Sequence, residues 1–134
     1  MTGLLVISVV VLVAAFAAGV LALVNGRFRR RQAGQVLSPA ELGIDLGTRA
    51  TLVQFSSAFC SPCRATRTLL RDVAARRDDV AYVDIDAESH LDLVRQLGIL
   101  RTPTVVVLNH AGVVVRQASG LPRREQIDAV LAGI

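Results

Sequence analysis

Residues 4–24 read LLVISVVVLVAAFAAGVLALV, a run without a single charge and with Ser8 as its only hydroxyl. A helix that is apolar all round has to be buried in a large core or in a membrane. At about 1.5 Å per residue, a helix over this run spans about 31 Å, the thickness of a bilayer's hydrocarbon core. A cleaved secretory signal is the competing reading. It calls for Lys or Arg ahead of an apolar core of about 7–15 residues. Here only Met1-Thr2-Gly3 precedes the run, the run is longer, and Arg27, Phe28, Arg29, Arg30 and Arg31 follow at once. A retained, single-pass transmembrane helix is therefore expected. The basic flank of such a helix tends to stay in the cytoplasm. That rule places the C-terminal part of the chain on the cytoplasmic face of the cell membrane.

The net charge of +4 belongs to this flank. All 15 basic residues are arginines, and setting aside the four at 27–31 leaves a balance against the 11 Asp and Glu. A nucleic-acid-binding domain would carry a basic face of its own, so nucleic acid is not expected as a partner. Attraction of the cluster to anionic lipid headgroups accounts for it more simply.

Three segments follow from the patterning: an anchor at 1–26, a basic juxtamembrane linker at 27–37, and a folded domain at 38–134. Ser38-Pro39-Ala40-Glu41 combines a capping serine, a proline in the first turn and a glutamate three residues on, so a short helix starts there and ends near Gly43. Thr51–Ser56 reads as a central strand buried on both faces. Ser61–Arg76 is helical, with Ala65, Leu69, Leu70 and Val73 on one face. Val80–Asp86 alternates as a strand, and Ser89–Leu97 is a short helix stopped by Gly98. Thr104–Leu108, a turn at Asn109-His110-Ala111-Gly112, and Val113–Arg116 form a hairpin. A last helix follows Leu121-Pro122. The order βαβα then ββα predicts an α/β domain with a parallel crossover, a four-stranded mixed sheet and helices on both faces.

Both cysteines of the chain lie in Cys60-Ser61-Pro62-Cys63. A structural zinc site needs four ligands in close pairs. Only His90 and His110 remain, one near a helix start and one in a turn, so no metal is expected. A bridge across two residues closes too small a loop to constrain the unfolded chain much. Redox chemistry explains the placement. Cys60 sits at a helix N-terminus, where unpaired N–H groups and the helix dipole favour a thiolate. The thiolate is the form that attacks a disulfide. Cys63 lies about one turn further, on nearly the same face, and can resolve the mixed disulfide. Pro62 in the first turn costs no helical hydrogen bond and stiffens the loop.

The stretch Phe55-Ser56-Ser57-Ala58-Phe59-Cys60-Ser61-Pro62-Cys63-Arg64 resembles the active-site segment of the thioredoxin family. Gly98-Ile99-Leu100-Arg101-Thr102-Pro103-Thr104 resembles that family's loop before the third core strand, and Gly120 the glycine after the last strand. The resemblance covers about residues 38–134 and implies a thioredoxin-like fold. It also implies that Cys60 is the nucleophile and Cys63 the resolving cysteine. It makes Pro103 a cis proline facing the pair, and lets the Thr102 backbone pair with an extended substrate segment. Phe59 stands where many relatives carry tryptophan and is expected to shield the disulfide.

Departures from the family pattern matter too. A buried aspartate and its lysine partner are replaced by Gln54 and Tyr82, an amide and a phenol that can hydrogen-bond without burying charge. Ser56 replaces a common tryptophan. A dedicated partner is thus expected rather than general-purpose service. The leading reading is a membrane-tethered thiol–disulfide oxidoreductase that needs no cofactor. It would reduce protein disulfides on the cytoplasmic face and draw electrons from an unidentified thiol donor. The alternatives are an exported, anchored exchange protein serving extracytoplasmic or cytochrome-maturation thiols, and a non-catalytic docking module.

Overall fold

The computed structural model describes residues 1–30 and 34–134. Arg31, the last arginine of the basic cluster, lies outside them. The first element is helix α1 (Thr2–Val24), none of which is buried against the rest of the chain. It is long and apolar enough to cross a membrane.

After α1 come strand β1 (Arg29–Arg30), helix α2 (Pro39–Leu42), β2 (Ala50–Ser56), α3 (Ser61–Ala75) and β3 (Val80–Asp86). Helix α4 (Leu91–Gln96), β4 (Thr104–Asn109), β5 (Val114–Ser119) and α5 (Arg124–Ala132) complete the domain. The sheet order is β1-β5-β4-β2-β3, with β2 and β3 parallel and the other pairs antiparallel. The four long strands form the expected mixed sheet, and β1 adds a fifth at the β5 edge.

Period-2 alternation sends successive side chains of β2 and β4 to opposite faces, and each face has its own core. Leu52, Val105 and Val107 meet Leu70 and Val73 of α3 and Ile127 and Leu131 of α5. Val53, Phe55 and Val106 meet Leu93 of α4, together with Leu42 and Leu97. Strand β2 is buried at every position, as its apolar, β-branched composition requires of a central strand. The capping box at the start of α2 is formed: the Ser38 N–H donates to Glu41 Oε2 at 2.8 Å, and the Glu41 N–H donates to Ser38 Oγ at 3.3 Å. The bond from the Ser38 backbone holds the Glu41 carboxyl below its ordinary range.

The described residues of the stretch 27–37 do more than connect. Arg29 and Arg30 pair with Gln117 and Arg116 of β5, Val36 bridges Val113, and Leu37 is fully buried. The physical reason is the open edge of β5, whose outward backbone groups need partners. Strand β5 itself runs past Arg116 to Ser119, because Ala118 and Ser119 pair with Val105 and Thr104 of β4. The end of α1 is fastened to the same edge. The Gly26 N–H donates to Ser119 O at 2.6 Å, and Arg101 Nη2 donates to Asn25 Oδ1 at 2.9 Å. A Cβ on Gly26 would lie 2.1 Å from Leu121 O, so this contact requires glycine.

Candidate active site

The site is assembled where β2 ends and α3 begins. Cys60 is the N-cap of α3, with extended backbone angles, and its Sγ accepts from the Cys63 N–H at 3.3 Å. A disulfide joins Cys60 and Cys63. The two sulfurs differ in access: Cys60 is half-buried and Cys63 only 2% exposed. Pro62 lies in the first turn, exposed, and its carbonyl accepts from Thr66 Oγ1 at 2.8 Å.

The loop before β4 closes over this corner. The Thr102–Pro103 peptide bond is cis. Pro103 is buried, and its carbonyl accepts from the Gly120 N–H at 2.7 Å. Thr102 Oγ1 stands 3.8 Å from Cys60 Sγ and 2.7 Å from Ser57 Oγ. Among the described residues the backbone N–H and C=O of Thr102 have no backbone partner.

Phe59 departs from expectation. It is fully exposed, so it does not shield the disulfide. Its φ of 59 places a non-glycine residue in the left-handed region just before the motif. Leu100 beside the cis-proline loop is likewise 96% exposed.

Behind Cys63 lies a polar network. Gln54 is fully buried. Its Nε2 donates to Cys63 O at 2.8 Å and to Ser56 Oγ at 3.0 Å, and its Oε1 accepts from the Tyr82 O–H at 2.9 Å. Both polar atoms of that amide are satisfied, which is what its burial demands. Ser56 Oγ in turn donates to Asp84 Oδ1 at 2.6 Å, and Arg67 Nε donates to Asp84 Oδ2 at 2.6 Å. The Asp84 carboxylate raises the Arg67 guanidinium above its already high value.

Sequence reasoning does not single out Ser56, Arg67 and Asp84 as a cluster. The signal that could find them is the parallel register, which sets Gln54 opposite Asp84, and the four-residue step from Cys63 to Arg67 along α3. His90 caps α4 and His110 sits in the β4–β5 turn, both exposed. Among the described residues no three His, Cys, Asp or Glu side chains are grouped to hold a metal.

Tyr82 gives this network a clean reporter, because it is the only tyrosine and the chain has no tryptophan. Burial, with the Asp84 charge adding to it, pushes its phenol from 10.0 up to about 12. The folded chain then holds a proton that the unfolded chain has lost between those values. Stability is therefore expected to fall as pH rises from 10 toward 12. Phenolate absorbance should titrate near 12 in the native protein and near 10 in denaturant. A native midpoint at 10 would show the phenol solvated and the Gln54 contact absent.

Comparisons with known proteins agree with this geometry. A family model described as Thioredoxin matches residues 41–132. The thioredoxin of Alicyclobacillus acidocaldarius is 32% identical over 89 residues, covering 66% of this chain and 84% of that protein. Human thioredoxin domain-containing protein 2 is 28% identical over 88 residues, which cover 66% of this chain but 16% of that much longer protein. Among solved structures, a thioredoxin variant from Halobacterium salinarum superposes with a TM-score of 0.58 at 21% identity, covering 64% of this chain and 74% of that one. This last likeness speaks to the fold.

Proposed function

From the premise that this chain belongs to the thioredoxin family and is a thiol–disulfide oxidoreductase, we propose that it works as a membrane-tethered reductant of protein disulfides on the cytoplasmic face. The observation that carries the proposal is the unequal access of two sulfurs at one helix start. Cys60 is half-buried beside Thr102 and the cis proline, and Cys63 is 2% exposed behind it.

In the reduced protein the Cys60 thiolate attacks one sulfur of a substrate disulfide. The Cys60–substrate bond forms, the substrate S–S bond breaks, and one substrate thiolate leaves with the electron pair. Cys63 then gives up its proton and attacks Cys60 Sγ. The Cys60–Cys63 disulfide closes and the second substrate thiol is released, two electrons having passed from the protein to the substrate. A thiol donor must return those electrons for another cycle. The free backbone groups of Thr102 suit an extended substrate segment laid alongside, the main-chain pairing that strand-addition complexes use. Pro103 shapes the floor of that groove, and exposed Phe59 and Leu100 offer apolar contact at its rim.

Cytoplasmic orientation rests on the arginines at 27–31 following an uncharged N-terminus. Sealed membrane vesicles of known sidedness, supplied with insulin and an impermeant dithiol, test both parts at once. Insulin reduction is expected with the cytoplasmic face outward and not with the opposite face outward until the vesicles are permeabilised. Activity with the opposite sidedness would replace this reading with the exported exchange protein. No activity after permeabilisation would leave a docking module.

A further inference from the structure

A cavity of about 470 Å³ lies where the end of α1 meets the sheet edge, next to the redox site and sharing with its rim only Leu100. Val24, Arg27, Arg29, Leu100, Arg101 and Ser119 line it. Three arginines therefore converge on one hollow, and among the described residues no acidic one lines it. Among the described residues none of the three forms an ion pair with a carboxylate. Elsewhere in the domain several arginines do find carboxylates: Arg67 with Asp84, Arg77 with Asp128, Arg124 with Asp72. Converging, uncompensated cations call for an anion.

The position of the cavity narrows the choice of anion. Val24 is the last residue of the apolar helix. If the helix fills the hydrocarbon core, the next few residues stand in the headgroup layer, about 5–8 Å deep on each side of the bilayer. Phosphate is the anion that layer supplies. The lining matches both halves of a lipid: Val24 and the 96%-exposed Leu100 on the apolar side, the guanidinium groups and Ser119 on the polar side. Guanidinium forks bind phosphate oxygens in pairs.

Arg101 is pre-oriented for such a contact. Its Nη2 donates to Asn25 Oδ1 at 2.9 Å and to Ser119 O at 3.3 Å, which ties the guanidinium to the anchor's end. A guanidinium has five N–H donors, so others remain. We propose that this cavity is a binding site for the phosphate headgroup of an anionic phospholipid, held by Arg27, Arg29 and Arg101. The site is one residue from Thr102, whose hydroxyl touches Cys60, so an occupied cavity fixes the redox loop against the bilayer surface.

The proposal rests on the reading that Thr2–Val24 spans the membrane. The test uses the full chain purified in non-ionic detergent and followed by native mass spectrometry. Phosphatidylglycerol, phosphatidylcholine with the same acyl chains, and inorganic phosphate are titrated separately. One retained phosphatidylglycerol per chain is expected, with phosphatidylcholine binding far more weakly. Each basic residue near an anionic surface contributes about fivefold, so Arg27→Gln/Arg29→Gln/Arg101→Gln should raise the half-saturating lipid concentration about a hundredfold. Arg71→Gln/Arg76→Gln/Arg95→Gln removes the same charge from exposed sites elsewhere and should bind lipid as the parent does. Should the first triple variant fold poorly, Arg27→Gln/Arg29→Gln should weaken binding, and Arg101→Lys, which keeps the charge but loses the fork, should weaken it less than Arg101→Gln.

Equal binding of the two lipids, or equal weakening by the two triple variants, overturns the site. Displacement of the lipid by an equal concentration of inorganic phosphate would make free phosphate the ligand and also overturn it. Alkaline carbonate extraction separates the premise from the proposal. A chain that leaves the membrane refutes the span, whereas a chain that stays but loses no lipid on substitution refutes the site alone.

Discussion

Replacing Cys63 with serine should turn the protein into a covalent trap that accumulates mixed disulfides, while Cys60→Ser should accumulate none. The difference follows from access and activation. Cys60 Sγ accepts the Cys63 N–H at 3.3 Å at the start of α3. In the reduced protein that N–H and the helix terminus stabilise negative charge on the Cys60 sulfur and so favour its thiolate. The same sulfur is the accessible one, beside Thr102 at 3.8 Å. Cys63 is 2% exposed, so no protein disulfide can reach it without unfolding the helix start. Without Cys63 the first exchange proceeds and the second cannot. Without Cys60 the first does not begin, and turnover should fall at least about a thousandfold, the scale on which loss of an attacking nucleophile shows. Non-reducing gels of both variants, with dithiol-reversible bands scored, make the comparison. Equal trapping by both, or trapping by Cys60→Ser alone, would reverse the assigned roles.

What the sequence disclosed about this site was what depends on short spacing. Cys60 to Cys63 and Thr102-Pro103-Thr104 are local patterns, and the elements that carry them are periodic enough to place. The network behind Cys63 depends on register. Asp84 meets Ser56, and Tyr82 meets Gln54, only because β2 and β3 align in parallel with Gln54 opposite Asp84. No local pattern fixes that alignment. Strand β1 was hidden for a related reason. Two arginines carry no strand signal of their own, and they pair because β5 offers a free edge. Phe59 misled in the opposite direction. Its place where relatives carry tryptophan suggested a cover for the disulfide, but the ring is fully exposed on a residue with φ 59, a placement that neither residue type nor spacing reveals. The fastening of α1 to the domain turns on Gly26, where the absence of a side chain lets two segments meet.

Gln54→Glu should leave stability near the parent's in acid and lower it steeply as pH rises. The substitution is isosteric, so packing alone predicts little change. Chemistry predicts a large one. In the parent, Nε2 donates to Cys63 O at 2.8 Å and to Ser56 Oγ at 3.0 Å, while Oε1 accepts from Tyr82 at 2.9 Å. In the variant an oxygen takes the place of Nε2 and faces the Cys63 carbonyl, an acceptor that can give it no proton. Only the protonated acid can supply the missing donor. Ionisation would set two oxygens against each other in a fully buried place, with Asp84 one hydroxyl away through Ser56. Burial and the neighbouring carboxylate both push the introduced acid upward, and buried glutamates reach pKa values of about 8–9. The unfolded chain titrates near about 4.3. Between those values the folded state binds the extra proton, so stability falls by about 1.4 kcal/mol for each pH unit and levels off above the folded pKa. Denaturant midpoints measured from about pH 4 to about pH 9 should diverge from the parent's over that window. Gln54→Leu separates the two causes, because it removes the same hydrogen bonds but carries no titrating group and should run parallel to the parent at a constant deficit. If Gln54→Glu also runs parallel, the side chain at position 54 is not donating to Cys63, and the amide does not hold the start of α3 against β2.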